Sequence, residues 1–143
     1  MVTQGQLLEA WVARKSVGRN FYRLEEPQSQ EFEYRGPRMG HPSNFAAVHL
    51  RCEPADELTF QSTARWPQHL PPAYCVDLER AIGYGIVDSL MSHVYPYRGC
   101  AVTLVGVGWD DVSSSEAAFY RAAKAAMDRL RSTGKWRDVY TSS

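Results

Sequence analysis

Four histidines and one pair of adjacent aspartates are the side chains here that could hold a metal or transfer protons. His41 and His49 are too widely spaced for an HxxxH or HExxH pattern, and neither pattern occurs, so the sequence predicts no metal site. Asp110 and Asp111 could form a general acid and base, but adjacent residues in a turn rarely converge on one atom. We expect solvated carboxylates and hydrogen-bonded histidines.

The serines of segment 113–115 offer hydroxyl groups that could act as nucleophiles. They lack the surrounding GxSxG pattern, which would place a serine on a strained turn. Ser113 stands three residues before Glu116, the spacing of a helix capping box, so we expect Ser113 to cap a helix. Since no acid, base and nucleophile converge, the chain is predicted to be non-enzymatic and to need no cofactor. No GxxxxGK[ST] occurs either, which argues against nucleotide binding.

Side chains that could contact nucleic acid cluster in and beside two Gly-containing segments, 36–44 and 106–112. They are Arg35, Arg38, Met39, His41 and Trp109. The arginines could contact phosphates, and the tryptophan could stack on a base. The alternative is an ordinary exposed loop with the tryptophan packed onto it. The chain has 16 basic and 16 acidic residues and a formal net charge of zero, which argues against binding by bulk electrostatics.

The second segment is positioned by the stretch from Cys100 to Leu130. Cys100, Val102 and Leu104 alternate with the residues between them, in a run rich in β-branched side chains. This predicts a strand that is half or wholly buried. Gly106 and Gly108 are expected to let the backbone turn sharply. A helix follows, because apolar residues recur at spacings of three and four; they are Phe119, Ala122, Ala123, Ala126, Met127 and Leu130. Gly134 is expected to end this helix.

The first segment follows weakly alternating residues 7–35, which predict a meander of strands interrupted by a turn at 25–30. Over residues 7–14 the pattern favours a strand, and a short helix is the alternative. After it, alternation over 46–52 and 58–64 predicts two strands that form a hairpin. A proline-rich connection leads into a helix with apolar residues at Cys75, Leu78, Ile82, Ile86 and Leu90. Gly83 and Gly85 in that helix would allow close approach to the sheet. The polar tail, 135–143, is expected to fray.

This order of elements predicts an α+β fold: a two-layer sandwich of a mostly antiparallel sheet with two helices on one face. The length of 143 residues suits a single domain spanning 1–143. No apolar run has the length of a membrane span, and the N-terminus does not resemble a secretory signal. The three cysteines form no CxxC pattern. We expect buried free thiols in a cytoplasmic protein.

The residues from Val112 to Ala122 resemble the fourth domain of translation elongation factor G. That family has a similar strand, a Gly-aromatic-acidic loop and a serine-rich helix start. The resemblance covers roughly residues 30–132. The matching residues are Gly36, Arg38, Gly40, His41, Glu53-Pro54, Leu70, Pro71, Tyr74, Tyr97, Arg98, Gly99, Val102, Thr103, Leu104, Val112, Ser113, Ser114, Ser115, Glu116, Ala118, Phe119 and Ala122.

The resemblance implies a fold like the second domain of ribosomal protein S5, with a left-handed crossover between parallel strands, contrary to the usual hand. In the factor, two tip loops reach the decoding region of the small ribosomal subunit; here they correspond to 36–44 and 106–112. The resemblance therefore implies a stand-alone domain that binds the ribosome or structured RNA. The implied contacts are Arg35, Arg38, Met39, His41, Trp109 and Asp110.

Two departures from the family weaken that expectation. Asp110 stands where the factor has a histidine, and Asp111 adds a second carboxylate, which is unfavourable beside phosphates. The first loop is also proline-rich and differs in length. The alternative is a protein-interaction module, without a role in RNA binding, whose exposed sheet face or edge binds another protein.

Overall fold

The computed structural model describes residues 20–36 and 45–140. Six strands and two helices lie in these ranges: β1 (Asn20–Leu24), β2 (Gln28–Arg35), β3 (Phe45–Pro54), β4 (Thr59–Ser62), α1 (Pro72–Met91), β5 (Cys100–Gly108), α2 (Glu116–Thr133) and β6 (Trp136–Tyr140). The strand predicted near residues 7–14, most of the predicted loop 36–44, and the last three residues lie outside the described ranges.

Four strands form the main sheet in the order β2-β3-β5-β4. The β2–β3 and β3–β5 pairs are antiparallel, and β4 runs parallel to β5. Strands β1 and β6 form a separate antiparallel pair. Both helices pack into the same hydrophobic core as the inner face of the main sheet. The predicted α+β sandwich of two layers is confirmed.

Alternation along β3 accounts for the inner layer of the core. Ala46, Val48, Leu50 and Cys52 are all buried, because successive side chains of a strand point to opposite faces. The apolar faces of both helices cover them, and the predicted helix positions from Phe119 to Leu130 are all buried.

Among the described residues, no helix is long and apolar enough to cross a membrane.

The predicted hairpin between the strands at 46–52 and 58–64 is wrong, because β5 lies between β3 and β4. The connection between them passes the start of β5, where the Ala55 amide donates to the carbonyl of Gly99. Residues 100–105 are apolar on both faces except for Thr103, as suits a central strand. Such a strand buries more surface with a neighbour on each side than a local hairpin would allow.

The predicted meander and the fraying tail are also corrected. β1 pairs with β6 and not with β2, so residues 136–140 form a strand. Trp136 anchors that strand: its ring packs edge-on against Tyr97 with centroids 5.0 Å apart, and its indole Nε1 donates to the Leu130 carbonyl. Long-range pairing therefore orders residues 136–140, for which polar composition predicted fraying.

A β-bulge midway along β5 changes which of its side chains face the core, from even-numbered to odd-numbered residues. Leu50 pairs with Leu104, but the preceding residue, His49, pairs with Gly106, so Val105 is extra. Val107 therefore packs against the core. The two glycines after the bulge turn to the opposite, solvent-facing side. The strand continues through Gly108, so the sharp turn predicted at Gly106 and Gly108 is wrong.

The start of α2 differs from the predicted capping box. The N-cap is Ser115, whose Oγ accepts a hydrogen bond from the Ala118 amide at 3.2 Å. Ser113 lies in the preceding turn, where it hydrogen-bonds to Asp110. The end of the helix is as predicted, because the Gly134 amide donates to the Leu130 carbonyl.

The two glycines of α1 have different neighbours. A Cβ on Gly83 would make ordinary contact with the Phe60 ring at 3.6 Å. A Cβ on Gly85 would lie 2.5 Å from the backbone oxygen of Tyr120 in α2. Gly85 therefore permits close approach between the two helices, not the approach to the sheet that the sequence predicts.

Candidate functional site

The end of the main sheet where β2 and β5 finish and β3 begins is called the sheet tip here. It comprises Arg35, Phe45, Gly108 and the loop 109–115. Two hydrogen bonds fasten this loop to the start of β3: the Phe45 amide donates to the Ser113 carbonyl, and the Ser114 hydroxyl donates to the Phe45 carbonyl. The ends that flank the two predicted loops therefore lie at the same end of the sheet.

Asp110 organises the loop from within. Its Oδ1 accepts from the amides of Val112 and Ser113 and from the Ser113 hydroxyl, at 2.9–3.0 Å. The backbone bonds to Val112 and Ser113 and then the side-chain bond to Ser113 hold the pKa of Asp110 below its ordinary value, and Arg35 contributes further. Asp110 is thus a structural acceptor that closes the turn and leaves a negative charge at the tip.

Trp109 is packed onto the protein, as the alternative interpretation expects of this residue. Its ring stacks nearly parallel to Phe119, with centroids 6.1 Å apart, and meets Tyr74 edge-on. Its Nε1 donates to Oδ1 of Asp111 at 2.6 Å. The side chain remains partly exposed, so stacking on a base stays a prediction.

Asp111 joins the tip to the segment that precedes α1. The same Oδ1 that accepts from Trp109 lies 2.7 Å from Nε2 of His69. The bond from Trp109, followed by that from His69, lowers the pKa of Asp111. The two adjacent carboxylates therefore have different partners and do not converge, so the geometry gives no support for an acid and base pair.

Of the basic residues predicted to contact RNA, Arg35 is the one that lies within the described ranges. Its side chain is 62% exposed, its Nε donates to Glu33 at 3.0 Å, and its guanidinium lies 5.0 Å above the Phe45 ring. An exposed guanidinium held by one ion pair and one ring can still contact a phosphate. The other predicted contacts of the first loop, Arg38, Met39 and His41, lie outside the described residues.

A shallow depression of about 540 Å³, called the sheet depression here, opens beside the tip on the solvent-facing side of the sheet. Its outward-facing lining residues are Glu31, Glu33, Ala47, His49, Gly106 and Gly108. Sequence reasoning missed this depression because the bulge turns the glycines outward. The change from apolar residues at 100, 102 and 104 to apolar residues at 105, 107 and 109 is the signal that could have revealed it.

His49 is held in place at the wall of the depression. Its Nε2 lies 2.7 Å from the Ser29 hydroxyl, and its Nδ1 lies 3.4 Å from Oε1 of Glu31. These two contacts fix the ring plane, and the assignment of donor and acceptor follows its tautomer. Within residues 20–36 and 45–140, no group of three His, Cys, Asp or Glu side chains is arranged to hold a metal ion.

These features define a class: an α+β domain with two helices on one face of a mainly antiparallel sheet and a polar tip. No protein-family model and no curated protein sequence matches the chain. A crystal structure of a protein from Thermus thermophilus is similar, with 21% sequence identity and a TM-score of 0.67. The match covers 84% of this chain and 18% of that one. It shows a shared fold, with this chain spanning less than a fifth of the other protein's length.

Proposed function

We propose that this chain is a non-enzymatic, cytoplasmic domain that binds the small ribosomal subunit or another structured RNA through the sheet tip. The observation that carries the proposal is that Arg35, Phe45 and the loop 109–115 meet at one end of the sheet. This is the arrangement that the resemblance to the fourth domain of elongation factor G implies. The left-handed crossover between β4 and β5 is part of the same proposal.

The comparison with a solved structure supports the proposal at the level of architecture. The matched region is 18% of the other chain, so this fold occurs as one part of a much longer protein. A domain of a multidomain translation factor would have that relation to its parent protein. The charge at the tip limits the mode of binding: with Asp110 and Asp111 exposed, phosphate contact rests on the arginines and not on bulk attraction.

The test is co-sedimentation with purified 30S subunits over a salt series. Arg35→Glu should reduce the bound fraction and flatten the salt dependence, because each lost phosphate contact lowers the slope by about one. Arg80→Glu is the matched control: Arg80 lies on α1, is 41% exposed and contacts Asp77, as Arg35 contacts Glu33. Equal binding by the two variants would overturn the assignment to the tip.

A second candidate function is protein binding along β2, which is an edge strand of the main sheet. An edge strand of eight residues offers unpaired backbone groups on one side, and an extended peptide can add to such an edge. Pull-down of a defined protein partner that survives nuclease treatment, and that is lost when Glu31→Pro removes a backbone donor from the free edge of β2, would favour this function over RNA binding.

A further inference from the structure

The sheet depression has a floor almost without side chains. Gly108 pairs with Ala47, and Gly106 pairs with His49, so two glycines and one alanine form the central floor. The bulge at Val105 produces this floor, since regular alternation would have turned both glycines toward the core. The Phe45 ring borders this floor at Gly108, where a Cβ would lie 3.6 Å from it, so a planar group can lie flat mainly over Gly106.

The walls of the depression are rich in hydrogen-bond acceptors. Glu31 and Glu33 project from β2 on the same side as His49, with side chains 78% and 54% exposed. Among the described residues, one oxygen of Glu31 contacts His49 and one oxygen of Glu33 accepts from Arg35. A carboxylate has about four lone-pair positions, so both groups keep the capacity to accept further hydrogen bonds. The lining therefore suits a planar ligand that carries donors.

A cation stands next to these acceptors. Arg35 follows Glu33 by two residues on the same face of β2, about 7 Å further along the strand. A nucleotide has the matching polarity, since its base carries N–H donors and its phosphate is an anion. With the phosphate beside Arg35 and the base on the glycine floor, the anion of the nucleotide would lie next to the cation and its N–H donors next to the carboxylates.

We propose that the sheet depression binds an unpaired guanine of the RNA that the tip contacts, with Glu33 as the base-reading residue. Glu33 lies opposite Ala47 in the β2–β3 pair, directly at the floor. Guanine presents N1–H and the 2-amino group side by side, so one carboxylate accepts both. Adenine, cytosine and uracil do not offer two adjacent donors on that edge. This inference rests on the proposed function, because the guanine belongs to the bound RNA.

The probe is a uridine heptamer with one central guanosine, compared with the same RNA carrying central inosine and with the all-uridine heptamer. Binding is followed through the amide resonances of the isotopically labelled chain. The guanosine RNA should shift the amides of Ala47, Gly106 and Gly108 and bind at least about fivefold more tightly than the other two, as expected for loss of a bidentate base contact. Inosine is the decisive control, because it differs from guanosine only by lacking the 2-amino group.

Two variants test the residues. Glu33→Gln should remove the preference for guanosine over inosine, and this surface substitution does not disturb the core. Because it also removes the ion pair with Arg35, the readout is the ratio of the guanosine and inosine affinities within the variant. Gly106→Val should cover the floor and abolish the preference. A Cβ at that position meets the Cβ of His49 at an ordinary 3.7 Å, and a β-branched residue suits a strand.

The outcomes separate the inference from the proposed function. If 30S binding depends on Arg35 but the three heptamers bind equally, or their shifts fall away from the depression, the guanine assignment is wrong and the proposed function stands. If neither 30S subunits nor any heptamer binds, the proposed function fails and the inference fails with it. A preference for guanosine that persists in Glu33→Gln would overturn the role of that residue.

Discussion

The packing of α1 against α2 predicts opposite effects of alanine at two glycines of one helix. A methyl group on Gly85 would lie 2.5 Å from the Tyr120 carbonyl oxygen and 3.0 Å from the Lys124 amide nitrogen. Both are backbone atoms, so the helices must separate. Overpacking of this kind costs about 1–3 kcal/mol, and here the clash with backbone places it at the upper end. Alanine restores about 1 kcal/mol of helix propensity. The net loss should be about 2 kcal/mol.

Urea denaturation measures this loss. With a slope of about 2 kcal/mol/M, Gly85→Ala should lower the midpoint by about 1 M. Gly83→Ala is the matched control, since its methyl group meets the Phe60 ring at 3.6 Å. It should leave the midpoint unchanged or raise it by up to about 0.5 M. A midpoint for Gly85→Ala at or above that of the unsubstituted chain would refute the described helix packing.

Three further predictions concern the loop, the cap and the thiols. Ser115→Ala should destabilise the chain by about 1 kcal/mol in urea, and Ser113→Ala by less, because Ser115 caps α2. A larger loss for Ser113→Ala than for Ser115→Ala would instead support Ser113 as the helix cap. The hydrogen bonds of Asp110 lower its pKa below 3.8, so its stabilisation is present above that value and is lost as the pH falls through the folded-state pKa. Asp110→Ala should therefore lower the urea midpoint at neutral pH, with the difference shrinking in acid; a difference that grows in acid would contradict this. Burial raises the pKa of Cys52 to about 12 and that of Cys100 well above its ordinary value. Cys75 is only partly buried, so the expectation of buried thiols is wrong for this cysteine. A thiol reagent should therefore label Cys75 first in the native chain and all three after denaturation.

The local patterns of the sequence were sufficient for the layers of the fold. Strict alternation over 46–52 predicts the buried face of β3, and spacings of three and four predict the buried face of α2, because each pattern depends on one element meeting one core. The same applies to α1, where Leu78, Ile82, Ile86 and Leu90 are buried as predicted.

The pairing of strands could not be predicted from local pattern. The order β3-β5-β4 requires β5 to insert between two strands that are neighbours in sequence, and β6 pairs with β1 from the opposite end of the described chain. Such pairings are decided by the total surface buried and not by any one segment. The bulge at Val105 was missed for a related reason: it moves the glycines outward so that Val107 and Trp109 can reach the core.

The site was predicted in part. The resemblance placed the two loops at one end of the sheet, and the described flanks, Arg35, Phe45 and Gly108, do meet there. Asp110 and Trp109 proved to have structural partners within the loop and core that no spacing could indicate. The contribution of each to RNA contact stays a prediction.

Photo-crosslinking from the tip to ribosomal RNA tests the central claim most directly. A benzophenone amino acid replaces Val112, which is 76% exposed on the loop 109–115, or Tyr84, which is 51% exposed on α1. After irradiation with 30S subunits, position 112 should crosslink to ribosomal RNA and position 84 should not. Equal yields from the two positions, or crosslinks from position 112 to protein alone, would contradict RNA binding at the sheet tip.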